Sequence, residues 1–253
     1  MAEPEFHIVI PARFDSTRFP GKPLFVIAGK AMIEHVHDRA LETSASSVLV
    51  ATDDQRIVDH CKSRKIPVTM TDPDHASGTD RIGEVVEQQQ WTDEEIVVCL
   101  QGDEPATPAV IVDQVAKNLS LHDDAAIATL CARITEQAEY LDRNRVKVVF
   151  DNNGYALYFS RASIPQRRDD TDGSSDFPDA YVHIGLYAYR CGFLRQYQTL
   201  QPHPLELEEK LEQLRALANG YRIHIEPALD VPAHGVDAPS DVPLIEKILL
   251  SRG

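Results

Sequence analysis

The sequence predicts an α/β fold, with a doubly wound, mostly parallel sheet in one domain spanning 1–253. Three observations carry this prediction. Short apolar runs alternate with segments of helical periodicity from Phe6 to Cys131. One run, Ile96 to Leu100, is apolar throughout, as suits a central strand covered on both faces. Charged loops follow the runs, at the strand ends where doubly wound sheets bind ligands. A chain of 253 residues can bury a sizeable core.

The first strand is led in by Phe6, continues through Ile8-Val9-Ile10 and breaks at Pro11. The loop beyond it carries Arg13, Arg18 and Lys22 around one Asp, with a turn at Pro20-Gly21. Ala31 to Thr43 has apolar residues at helical spacing, and Ser47 to Ala51 is a second strand ended by Thr52-Asp53-Asp54. Gln55 to Arg64 reads as a helix, Ile66 to Met70 as a strand and Thr71 to Gly78 as a loop. Thr79 to Trp91 is helical, and the buried strand Ile96 to Leu100 follows. A helix after Pro108 and a strand from Ala125 to Cys131 continue the alternation. From Val146 the pattern becomes a hairpin that turns at Asn152-Asn153-Gly154 and returns to Arg161. Gln166 to Asp179 is rich in carboxylates and poor in apolar residues, which predicts a mobile loop. Tyr181 to Arg190 is an aromatic-rich strand, and Leu205 to Leu217 one helix closed by Asn219-Gly220. A strand, Arg222 to Glu226, and a helix, Asp241 to Leu250, end the fold.

The formal charge is −15, from 40 Asp and Glu against 25 Lys and Arg. That balance disfavours nucleic acid or an anionic membrane as partner, because phosphate backbones require broad positive surface. A small anion in a locally basic pocket is compatible with it, since residues 11 to 30 hold four cations and one carboxylate. Cys61, Cys99, Cys131 and Cys191 stand far apart with no C-x-x-C, as reduced core thiols of a cytoplasmic protein would. No leader or membrane-spanning run is evident.

Gln101-Gly102-Asp103-Glu104-Pro105 directly follows the central strand. Its Gly permits close backbone approach, and Asp103 falls in the ligand-binding crevice. One carboxylate holds Mg²⁺ poorly without a partner, and Asp237 in Gly235-Val236-Asp237-Ala238-Pro239 is a candidate. Taken alone, Asp237 reads more simply as a helix N-cap. There is no G-x-G, no P-loop, no H-E-x-x-H and no G-x-S-x-G.

The segments I-P-A-R-F-D-S-T-R-F-P-G-K-P-L, V-A-T-D-D, S-G-T-D-R, Q-G-D-E-P, Y-F-S-R-A-S-I-P, H-I-G-L-Y-A-Y, L-E-E-K-L-E-Q-L-R and G-V-D-A-P occur in this order. Together they resemble the 3-deoxy-D-manno-octulosonate (Kdo) cytidylyltransferase family, the CMP-Kdo synthetases, over nearly the whole chain. The resemblance implies a Rossmann-like nucleotidyltransferase fold and the reaction CTP + Kdo = CMP-Kdo + diphosphate, serving lipopolysaccharide biosynthesis in the cytoplasm. It implies Mg²⁺ bound by Asp103 and Asp237. Ala12, Arg13, Arg18, Lys22, Ser77, Arg81 and Gln101 would bind the nucleotide. Gln101, Arg161, His183, Tyr187, Glu212 and Gln213 would bind the sugar. Arg13, Lys22, Asp103 and Asp237 would carry the catalysis. A homodimer is implied, with residues 146–190 as a smaller β-rich lobe for sugar binding and dimerisation. Because Glu212 and Gln213 are neighbours on the expected helix, they should face the site unequally. Ala106-Thr107, Gln166 and Ala238 depart from the family pattern without touching the catalytic positions. The alternatives are a related sugar acid such as 8-amino-Kdo, a glycosyltransferase using a nucleotide sugar, and a non-catalytic CTP sensor.

Overall fold

The computed structural model describes residues 4–15, 19–75, 77–168, 177–233 and 235–251. The expected alternation is present. Strand β1 (Phe6–Ala12) leads through a short 3₁₀ turn into the two-residue strands β2 (Val26–Ile27) and β3 (Lys30–Ala31), then helix α1 (Met32–Leu41). Strand β4 (Ser47–Thr52), helix α2 (Gln55–Ser63), strand β5 (Val68–Met70), helix α3 (Gly78–Gln89) and strand β6 (Ile96–Cys99) follow. Next come helix α4 (Ala109–Ser120), strand β7 (Ile127–Arg133) and helix α5 (Gln137–Leu141). The hairpin is β8 (Lys147–Phe150) with β9 (Ala156–Ser160), and strand β10 (Tyr181–Arg190) runs into helix α6 (Cys191–Tyr197). Helices α7 (Pro204–Glu209) and α8 (Gln213–Ala218), strand β11 (Ile223–Pro227) and helix α9 (Val242–Ser251) complete the order.

The main path of the sheet is β11-β7-β10-β6-β1-β4-β5, and β8 and β9 extend it beside β10. The strands β1, β4, β5 and β6 are parallel, as are β7 and β11. β10 runs antiparallel between β6 and β7 and so joins the two parallel sets. Residues alternate faces along a strand, so Ile8 and Ile10 pack in one core cluster with Val36 of α1 and Val112 of α4. Val9 packs in the other, with Val85 of α3 and Phe193 of α6. Apolar side chains on both faces are what a doubly wound sheet requires.

Four expectations need correction. β1 does not stop at Pro11, because Pro11 and Ala12 stay in register with Ala51 and Thr52 of β4. β10 is not confined to a separate lobe: Tyr187 to Arg190 pair with the central strand β6, while Tyr181 and Val182 pair with β8. The single helix expected from Leu205 to Leu217 is two, interrupted at Lys210, whose φ of 55° is left-handed. Helices α5 and α6 were not foreseen; each has seven residues or fewer, too short for a clear periodic signal. The carboxylate-rich loop from Gln166 lies outside the described residues between 169 and 176.

Candidate functional site

Three adjoining cavities open around the carboxyl ends of β1 and β6. The first, of about 350 Å³, is lined by Ala12 and Arg13 after β1, by Lys22, by Ser77 and Arg81 at the start of α3, and by Gln101 to Asp103 after β6. Local structure holds each in place. Ser77 caps α3, its hydroxyl oxygen accepting the Asp80 N–H at 3.1 Å. Gly21 is left-handed at φ 72°, its N–H bonds the Phe14 carbonyl, and the chain thereby turns to present Lys22. Phe14 in turn lies under the Arg56 guanidinium, 3.3 Å from the ring centroid. At Gly102 a Cβ would come 2.7 Å from the Pro11 carbonyl oxygen, so only Gly lets these two loops touch.

The cavity is less simply basic than the loop composition suggests. Arg13, Lys22 and Arg81 line it together with Asp15, Asp103 and Glu212. Lys22 Nζ donates to Asp103 Oδ2 at 2.6 Å and to the Val236 carbonyl at 3.0 Å. Arg81 is wholly buried; it donates from Nη2 to Asp53 Oδ2 at 2.5 Å and from Nη1 to Thr71 Oγ1. Burial lowers the Arg81 pKa, and Asp53 opposes that shift. Arg13 is more exposed, and donates from Nη2 to the His75 carbonyl. A buried cation needs a counter-charge, which is why the acids accompany the bases here.

The second cavity, of about 290 Å³, shares Gly78, Gln101 and Glu212 with the first. Its walls are aromatic: Tyr187 and Tyr189 from β10, with Phe193 and Tyr197 from α6. Glu212 and Gln213 both line it, but Glu212 alone also reaches the first cavity. Glu212 Oε2 accepts from Thr79 Oγ1 at 2.8 Å. Surrounding protein raises its pKa, since water is displaced from around the carboxylate, and the Thr79 hydrogen bond opposes this. The Gln213 side-chain amide nitrogen is buried, with no hydrogen-bond partner among the described residues.

The third cavity, of about 280 Å³, brings Asp103 and Asp237 together with His183. Their loops are tied directly, the Val236 N–H donating to the Asp103 carbonyl at 2.8 Å. Asp237 is not the N-cap. Ala238 holds that position, and the Asp241 carboxylate accepts the N–H groups of both Asp237 and Ala238. His183 Nε2 lies 2.9 Å from Thr129 Oγ1, and burial pushes its pKa down to about 3, so the ring is neutral.

Arg161 is placed differently from the other candidates. It lines none of these three cavities. Its Nε donates to the Glu209 carbonyl at 2.6 Å and its backbone N–H to Glu209 Oε2 at 2.9 Å, pinning β9 to the end of α7. Arg18 lies outside the described residues. Sequence reasoning passed over Asp53, Thr79, Tyr189, Phe193, Tyr197 and Lys210. Phe193 and Tyr197, four residues apart just after an aromatic strand, were a weak signal of a helix facing the same side.

The cytidylyltransferase family model matches residues 7–223. A 3-deoxy-manno-octulosonate cytidylyltransferase of Psychromonas ingrahamii is 52% identical, covering 94% of this chain and 96% of its own. The enzyme of the same description from Haemophilus influenzae is 49% identical over 98% of this chain and 99% of its own. Among solved structures, CMP:2-keto-3-deoxy-manno-octonic acid synthetase complexed with CTP superposes with a TM-score of 0.89 at 37% identity, covering 99% of this chain and all of that one. A 4-diphosphocytidyl-2C-methyl-D-erythritol synthase shares the fold, with a TM-score of 0.62 at 12% identity over 98% of this chain.

Proposed function

This chain belongs to the cytidylyltransferase family, and from that premise we propose that it transfers CMP from CTP to 3-deoxy-D-manno-octulosonate, releasing diphosphate. The observation that carries the reading is the junction of a charged cavity with an aromatic-walled one across Gln101 and Glu212. A nucleotide in the first and a sugar acid in the second would meet there. The anomeric hydroxyl gives up its proton to water as its oxygen attacks the α-phosphorus; the new O–P bond forms while the bond from that phosphorus to the bridging oxygen breaks in line, and diphosphate leaves with that oxygen.

Each side chain has a role within this scheme. Arg13 and Lys22 meet the triphosphate, Lys22 toward the α-phosphate and Arg13 toward the departing diphosphate. Ser77 and Arg81 hold the nucleotide. Gln101 stands between the two substrates, while Tyr187, Glu212 and Gln213 bind sugar hydroxyls, and the neutral His183, on the third cavity beside Asp103, offers a ring nitrogen to the part of the sugar acid that extends there. Arg161 acts at one remove, by holding the turn that carries Lys210 and Glu212. Positioning and charge stabilisation do the work, with no dedicated protein base.

Asp103 and Asp237 fit a Mg²⁺ ion. Both are hard oxygen donors on one cavity wall, and Asp103 already attracts a cation, Lys22. Among the described residues no group of three or more metal-ligating side chains occurs, so substrate oxygens would complete the shell, as is usual for Mg²⁺. When bound, the ion would neutralise phosphate charge and favour the ionised sugar hydroxyl.

We further place the enzyme in the cytoplasm as a homodimer through the β8–β9 hairpin. Supporting observations are four free, buried thiols and the exposed Leu157 on β9. No helix among the described residues is long and apolar enough to cross a membrane. Light scattering on Leu157→Asp tests the interface: an unchanged dimer would move it elsewhere.

The deciding experiment is diphosphate release from CTP, UTP, ATP and GTP with Mg²⁺, each with and without the sugar acid. Release only from CTP with the sugar acid is expected. CTP binding without release would leave a sensor, and consumption of a nucleotide sugar would make the chain a glycosyltransferase.

A further inference from the structure

We infer that Asp53 is a positioning residue for the nucleotide, one carboxylate that sets the two arginines of the charged cavity. The inference rests on the cytidylyltransferase reading above and adds a residue to it.

The V-A-T-D-D segment ends β4 with two carboxylates that do different work. Asp54 turns outward and caps α2, accepting the Arg56 N–H at 2.8 Å. Asp53 turns inward. Its Oδ2 lies 2.5 Å from Arg81 Nη2 and 4.0 Å from Arg13 Nε, so one oxygen addresses both guanidinium groups. The four residues involved arrive from separate segments: Arg13 from the end of β1, Asp53 from the end of β4, Thr71 from the end of β5 and Arg81 from α3. A contact joining so many strand ends fixes the relative position of loops that otherwise share little.

Arg81 shows what this arrangement is for. Asp53 and Thr71 take its two terminal nitrogens, which leaves the planar group no freedom to turn. Its Nε–H is buried and has no hydrogen-bond partner among the described residues, although the residue lines the charged cavity. From this position the guanidinium acts on an anion in the cavity as a fixed, buried positive charge. Arg13 is the looser of the pair, with a side chain 40% exposed against none for Arg81. At 4.0 Å its contact with Asp53 is an ion pair without a hydrogen bond, so a triphosphate can draw Arg13 toward itself while Arg81 stays anchored. Asp53 thus holds one arginine rigidly and restrains the other.

The test compares the wild type with Asp53→Asn, Asp53→Glu and Thr71→Val, varying CTP and the sugar acid separately and titrating CTP alone by calorimetry. Asp53→Asn should raise the KM for CTP about tenfold, keep that for the sugar acid within about twofold and kcat within about threefold. Asp53→Glu should recover part of the loss. Thr71→Val, which removes one neutral hydrogen bond, should raise the CTP constant about threefold alone. A folded Asp53→Asn variant with the wild-type CTP constant overturns the inference, as does a parallel loss in both constants and kcat. Should Asp53→Asn fail to fold, Thr71→Val decides: a selective rise supports the assignment and no change overturns it. If the wild type itself releases no diphosphate, the proposed function has failed. Calorimetry then still reads Asp53, because it needs no turnover.

Discussion

The two main cavities lie side by side and are built on opposite plans. The charged one draws almost wholly on loops from the first 103 residues, and its ionic groups are already matched: Lys22 with Asp103, Arg81 with Asp53. The aromatic one draws mostly on β10, α6 and the interrupted α7–α8 segment, and among the described residues it leaves the Gln213 amide nitrogen unpartnered. The difference follows from what each must accept. A triphosphate brings so much charge that its site must hold cations stably in its absence, and paired acids do that. A sugar brings hydroxyls and a ring face, which suit aromatic walls with a few polar groups kept available.

The comparison can be broken at several places. The largest effect should come at the wall that carries Asp103, where Asp103→Asn removes charge and leaves Lys22 without its carboxylate partner. There kcat should fall on the order of a hundredfold or more, measured at saturating Mg²⁺ and both substrates. Near-normal turnover would take Asp103 out of the chemistry. Next comes Gly102→Ala, whose methyl must displace the Pro11 carbonyl. A loss of about 2 kcal/mol in denaturant unfolding is expected, with impaired CTP binding.

Glu212→Gln probes the shared wall itself. The KM for the sugar acid should rise about tenfold while that for CTP stays put; if both move together, the cavities act as one site and the division drawn here fails. The smallest effects are those of pH. With His183 lowered to about 3, the sugar-acid constant should show no imidazole step between about pH 5 and 8. His224, buried and held down to about 4, binds a proton in the unfolded chain before it does in the folded one. Stability must therefore rise with pH between those two values. Lowering the pH from 7 to 5.5 should cost about 1 kcal/mol of stability, and His224→Gln should flatten that dependence in thermal unfolding.

The same contrast explains what was legible in the sequence. The charged cavity is made of short motifs directly after strands, and a strand end is where an α/β fold is known to bind. Arg13, Lys22 and Asp103 could be placed there from their position alone, whereas Ser77, Arg81 and Gln101 came from the family resemblance; all six line one cavity. Asp53 was missed because V-A-T-D-D looks like ordinary turn chemistry; its inward orientation is a tertiary fact. The aromatic cavity was harder. Tyr187 was named from the family resemblance and Tyr189 was not, although the two stand two residues apart on one face of β10 and line the same cavity. Phe193 and Tyr197 sit on a helix too short to announce itself. The break at Lys210 was invisible because no Gly or Pro marks it, yet it turns Glu212 to the junction.

Strand β10 has a consequence for the order in which this protein can be made. Every other strand of the sheet's main path is in place on one side or the other by Arg133, except the far edge β11, but β6 and β7 have nothing between them until Tyr181 to Arg190 emerges. A nascent chain halted before that point would expose two apolar strand borders, each a template for association with another chain. Fragments ending near residue 150 should accordingly precipitate, while the intact polypeptide closes the seam from within.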